Sequence, residues 1–235
     1  MRLDKFIVST GLLSRKEAAL AAKKGRISVN GAVVKDSATH INEESDRICL
    51  DGNEICYRRF YYVMLNKPEG YVSATEAPDD RTVLELLPPE LQKVGLFPCG
   101  RLDKNTLGLM ILTNNGPLAH RLLAPKTHCE KVYRFRSRFP LSQEDCVTLE
   151  KGVDLGDFVT ASCKVGMCGE QEGYITLTEG KYHQIKRMLE AVHNKVTYLE
   201  RVRFAEIDLD PALERGQWRY LSEAEQKQLE KQENP

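Results

Sequence analysis

The ten residues GRLDKNTLGL, 100–109, place one carboxylate, Asp103, between two cations, Arg101 and Lys104, and no further acid follows until Glu130. Cationic neighbours favour the charged form, so Asp103 is expected to be a carboxylate at neutral pH. In that state it is fit to be a nucleophile or a base and poor as an acid. Glycoside hydrolysis wants two carboxylates flanking the bond, and only one is evident here. A competing reading makes Asp103 a turn residue that hydrogen-bonds its own backbone, and spacing alone leaves both open. No His-x-x-x-His or Cys-x-x-Cys spacing occurs, so no metal site is expected.

The Asp103 loop runs into an apolar strand, 109–113. Further strand-like runs lie at 61–65, 131–135 and 174–178, and helix-like ones at 117–123, 183–192 and 222–231. More strands than helices, without regular alternation, predicts an α+β domain on a mixed, largely antiparallel sheet. The 183–192 helix gathers Ile185, Met188, Leu189 and Val192 on one face, so Lys186 and Arg187 point elsewhere. Taken singly, Tyr133 is a strand residue on a core face and Lys186 a solvated helix lysine. On the same terms His183 caps or braces its helix, and Lys67-Pro68 with Gly70 shapes a strand-ending turn.

The first 57 residues form a separate pattern. Ser14 and Glu17 make a capping box ahead of an alanine-rich helix, and Gly25 is placed to end it in a left-handed conformation. RISVNGAVV then reads as strand, Asn30-Gly31 turn, strand. A boundary at 58–60 divides the chain into 1–58 and 59–235. Net charge is zero, yet residues 1–40 hold eight basic against three acidic residues, and 115–140 hold six against one. Such local patches decide whether a phosphate backbone is attracted. No run of about 18 apolar residues is present, and MRLDKFIVST lacks the apolar stretch of a signal peptide. The seven scattered cysteines favour reduced thiols, hence a cytoplasmic location, over a disulfide framework.

Two resemblances bear on function. MRLDKFI, SRKEA and GRISVNG, in that order, resemble the S4-type RNA-binding domain. GRLDKNTLGLMILTNNG resembles the signature of ribosomal-RNA pseudouridine synthases that carry such a domain. LNKPEGY (65–71), HCEKVYRF (128–135) and TEGKYHQIKRML (178–189) match three further motifs of that family in the expected order. The likeness runs from the start to about Leu221 and is nearest to the small-subunit (16S) rRNA branch.

The resemblance implies an S4-like domain at 1–58, a pseudouridine synthase domain at 59–235, and isomerisation of a ribosomal uridine without cofactor or metal. It puts Asp103 at the catalytic aspartate, as nucleophile or base, and Tyr133 at the ring that stacks on the uracil. Lys186 falls at the cation paired with the carboxylate, Ile185 beside it, and Arg101 at the residue holding the flipped nucleotide. Arg187 joins the RNA-binding set, with Arg2, Lys16, Lys23, Lys24 and Arg26 of the basic N-terminal module. The partner implied is ribosomal RNA or a small-subunit assembly intermediate, bound by a monomer away from membranes. Sister branches acting on large-subunit (23S) rRNA, and a non-catalytic ribosome-assembly factor, are the alternatives. His193 and Ala205 stand where the family often has glycine; a positive φ at His193 would carry modest strain.

Overall fold

The computed structural model describes residues 1–55 and 58–231. The chain folds into two compact units, Met1–Tyr61 with Leu87–Leu96, and Tyr62–Leu86 with Phe97 onward. The 87–96 excursion is absent from a linear division at 58/59.

In the first unit, helices α1 (Leu3–Ser9) and α2 (Arg15–Lys23) precede strands β1 (Ile27–Val29), β2 (Ala32–Val33), β3 (Ile48–Leu50) and β4 (Asn53–Glu54), which pair in the order β2-β1-β3-β4. The capping box forms: the Ser14 amide donates to the Glu17 carboxylate at 2.7 Å and the Glu17 amide to Ser14 Oγ at 3.3 Å. Gly25, at φ +70°, ends α2 with its amide on the Ala22 carbonyl. Asn30 and Gly31 both take positive φ, as a tight turn joining twisted strands requires. Leu3, Phe6, Ile7, Ala18, Ala21, Ala22, Ile27 and Ile48 are buried together and form this unit's core.

The second unit is built on a nine-stranded sheet among the described residues. Its strands are β5 (Tyr62–Lys67), β6 (Phe97–Pro98), β7 (Leu107–Thr113), β8 (Lys131–Ser137), β9 (Lys164–Met167), β10 (Glu172–Leu177), β11 (Val196–Phe204), β12 (Ile207–Asp208) and β13 (Trp218–Tyr220). The main order is β13-β5-β7-β11-β8-β10-β9, with β6 on β7 and β12 on β11. Only β7–β11 is parallel among these pairings. The short α3 (Pro89–Gln92) belongs to the first unit; α4 (Gly116–Leu123), α5 (Gln143–Lys151), α6 (Gln184–Ala191) and α7 (Glu223–Glu230) complete the second. No helix among the described residues is long and apolar enough to cross a membrane.

Several elements escape the pattern of the sequence, and two of them, α5 and β11, are instructive. Helix α5 opens with its own capping box, Ser142 and Asp145, a signal that was there to be read. The other is β11, the central strand. Its core positions include Glu200 and Arg201, both buried, so hydropathy gives it no strand-like signature. Arg201 is accommodated because Nε donates to the Leu109 carbonyl at 2.8 Å and the guanidinium lies 5.0 Å from the Phe204 ring centre.

Candidate active site

Asp103 sits in the loop between β6 and β7, and six backbone groups of residues 102–106 are tied down. Ser73 Oγ donates to the Leu102 carbonyl at 2.8 Å and accepts from the Leu102 amide at 2.9 Å. The Thr106 amide donates to the Asp103 carbonyl, and the Gly70 amide to that of Lys104. Lys67, at the end of β5, is wholly buried and donates to the carbonyls of Pro68 (3.1 Å), Lys104 (3.0 Å) and Thr106 (2.9 Å). The KPEG stretch therefore does more than turn the chain, because its ammonium pins the loop that presents Asp103. Lys104 itself turns away and pairs with Asp80.

Burial pushes the Lys67 ammonium down from the ordinary 10.5 to about 8, against the pull of the nearby Asp103 carboxylate. An ammonium has three N–H donors and all three are in use; a neutral amine has only two. Turnover is therefore expected to fall as pH rises through about 8, when the loop loses a tether. The folded value lies below the unfolded one, so this group favours folding progressively more between about 8 and 10.5, and the lost activity is not unfolding. A pH–rate profile checks this: a flat rate from about pH 7 to 9.5 contradicts it, as does an unchanged alkaline limb in Lys67→Met.

Helix α6 faces the loop. Lys186 Nζ lies 2.8 Å from Asp103 Oδ2, and His183 Nε2 lies 3.7 Å from Oδ1, too far for a hydrogen bond. His183 occupies the N-cap of α6 at φ +50° without a side-chain capping bond. It starts the helix by position, and its ring is turned to the carboxylate. Tyr133 on β8 and Ile185 on α6, both buried, line the same pocket with Leu102, Leu177 and Leu199. Among the described residues Asp103 is the one carboxylate lining it. The result is a carboxyl group with one lysine at ion-pair distance, an aromatic face and an apolar wall. Such a pocket holds a flat, neutral ring against a nucleophile or base and limits access of water.

Arg101 lines the mouth of this pocket, exposed and without a hydrogen bond or ion pair among the described residues. Arg187 is elsewhere: it pairs with Asp157, donates to the Leu155 carbonyl at 2.8 Å and covers the Phe158 ring. These contacts fasten the 155–158 loop to α6. In the first unit Arg2 is paired with Asp4 and Arg26 with Asp51. Lys16, Lys23 and Lys24 are exposed and unpaired among the described residues. The basic stretch 115–140 is less basic than its composition, since Arg134 and Arg136 share Glu172 and Lys131 is buried against the Cys129 carbonyl.

Arg201 is the residue the sequence concealed. Its Cα is paired with Gly108 across β7–β11 and with Tyr133 across β11–β8. A Cβ on Gly100 would lie 3.9 Å from Arg201 Nη1, so the guanidinium reaches the start of the loop that carries Asp103.

A family model described as RNA pseudouridylate synthase matches residues 61–191, and one described as S4 domain matches residues 1–48. An RNA pseudouridine synthase of Bacillus subtilis is 43% identical over 230 residues, 96% of each chain. Ribosomal small subunit pseudouridine synthase A of Escherichia coli (strain K12) is 38% identical over 228 residues, 96% of this chain and 98% of that one. A crystal structure of a pseudouridylate synthase superposes with a TM-score of 0.70 at 34% identity, covering 97% of this chain and 99% of the other.

Proposed function

The chain belongs to the RNA pseudouridylate synthase family, and from that premise we propose that it converts one uridine of small-subunit (16S) ribosomal RNA to pseudouridine, with Asp103 as nucleophile or base. As a member of the family it is an isomerase acting on RNA uridine and carries an S4 domain ahead of the synthase fold. The small-subunit assignment is supported by full-length relatives named for that substrate.

The observation that carries the chemical reading is the 2.8 Å Asp103–Lys186 pair in a pocket walled by Tyr133 and Ile185. Isomerisation breaks the bond between uracil nitrogen and ribose, turns the ring and rejoins it through carbon. Nothing is oxidised or hydrolysed, so one ionised acid suffices and a second proton-donating carboxyl is not called for. Lys186 holds Asp103 in its aim, Tyr133 stacks on the uracil, and Ile185 keeps water from the detached ring. Arg101 receives the backbone of the everted nucleotide. Leaving the stack costs a few kcal/mol, offset by contacts of Lys16, Lys23 and Lys24 with RNA phosphates. The protein works in the cytoplasm as a monomer.

Mapping pseudouridines in both ribosomal RNAs from cells with and without this protein tests the assignment. One site should vanish from 16S rRNA. Loss from 23S rRNA instead overturns the subunit assignment, and no loss from either overturns the substrate class.

A further inference from the structure

Beside the Asp103 pocket lies a second cavity of about 310 Å³, walled by Val72, Arg101, Leu102, Gly180, Tyr182 and His183. The two share Arg101, Leu102, Asp103, Gly180, Lys181 and His183, so they are continuous along one wall. We propose that this second cavity binds the nucleotide flanking the target uridine, its base stacked on Tyr182; this rests on the reading that the target uracil occupies the Asp103 pocket.

Three observations converge. Tyr182 is 77% exposed, although a tyrosine ring gains from burial. Its ring is stacked on His183 with centroids 3.9 Å apart and planes 17° from parallel, so one face is braced. His183 is held at φ +50°, a conformation that costs a non-glycine residue and that persists where the surroundings enforce it. The strained residue thus orients a flat aromatic surface at the cavity's edge. Arg101 supplies a cation with no ion pair among the described residues, whereas neighbouring Lys104 is committed to Asp80. A π-face beside a free guanidinium suits a base attached to a phosphodiester.

Covalent continuity favours a flanking nucleotide over an unrelated ligand. RNA whose uracil enters the Asp103 pocket must carry its neighbours into adjoining space, and the shared wall makes this cavity their continuation. Stacking tolerates any base because each has a π-face. The subsite therefore sets position along the strand rather than sequence.

The test begins with wild-type protein and a 16S rRNA transcript, which locates the modified uridine; absence of any product overturns the substrate reading and this subsite with it. Tyr182→Ala should then raise KM about tenfold with little change in kcat, and Tyr182→Phe should restore the wild-type KM. RNA oligonucleotides spanning the located uridine, abasic at the 5′ or 3′ neighbour, separate stacking from a structural effect. Wild-type protein should lose about tenfold in KM with one of them, and Tyr182→Ala should lose nothing further. A wild-type KM for Tyr182→Ala, a fall in kcat alone, or equal abasic losses in both proteins would overturn the subsite.

Discussion

Asp103→Asn is expected to leave RNA affinity within about twofold of wild type and to reduce pseudouridine formation by at least about 10²-fold. The amide has nearly the shape of the carboxylate, so the loop tethered by Ser73, Gly70 and Lys67 has no reason to move. What is lost is the charge. An uncharged amide neither attacks carbon nor takes a proton, and removing a nucleophile costs up to about 10⁶-fold in enzymes where the effect has been isolated. Loss of a general base alone costs about 10²- to 10⁴-fold, so the size of the defect distinguishes the two roles. The Lys186 ammonium, 29% exposed, stays solvated without its partner, and breaking such a pair costs at most about 1 kcal/mol. The measurement is single-turnover product formation beside a filter-binding isotherm. Full activity of the variant sinks the chemistry proposed for the pocket.

The largest effect on stability is expected at Gly108. This residue adopts φ +96°, and a Cβ there would lie 2.3 Å from the Arg201 carbonyl oxygen and 3.0 Å from its nitrogen. Both obstacles are backbone of the central strand and cannot swing aside. Gly108→Ala must either separate β7 from β11 or flip a peptide, and each breaks the parallel pairing of Leu107 and Gly108 with Glu200 and Arg201. A loss of about 4 kcal/mol or more follows, lowering Tm by about 10 °C. Calorimetry of the purified variant checks it, and a Tm within about 2 °C of wild type would contradict the close packing described.

Much of the architecture can be read from local signals, because local chemistry sets it. The Ser14–Glu17 box, the Asn30-Gly31 turn and the Gly25 stop each act within a few residues, and each forms as the sequence predicts. The two family glycines replaced here are equally informative. His193 and Ala205 take φ +57° and +54°, so the backbone requires a left-handed residue and these side chains tolerate it at some cost in strain. What the sequence hides is long-range. No pattern announces that Lys67 satisfies carbonyls nearly forty residues away, that Lys104 faces Asp80, or that Arg187 fastens the 155–158 loop. The middle of the sheet is hidden for a related reason. Arg201 reads as a surface residue until its partners on β7 and β8 are known.

That central strand also sets when the enzyme can exist. Strands β5 and β7, with the Asp103 loop, form one antiparallel half, and β8, β10 and β9, with Tyr133, form another. Among the described residues β11 alone joins them in the main ladder, and it begins at Val196. During synthesis both halves therefore wait with an open edge until residue 204 has emerged. Such late, non-local closure is slow and leaves the nascent chain dependent on protection from edge-to-edge association. It also means that the strands carrying the two halves of the pocket are joined only when Arg201 lies between Gly108 and Tyr133.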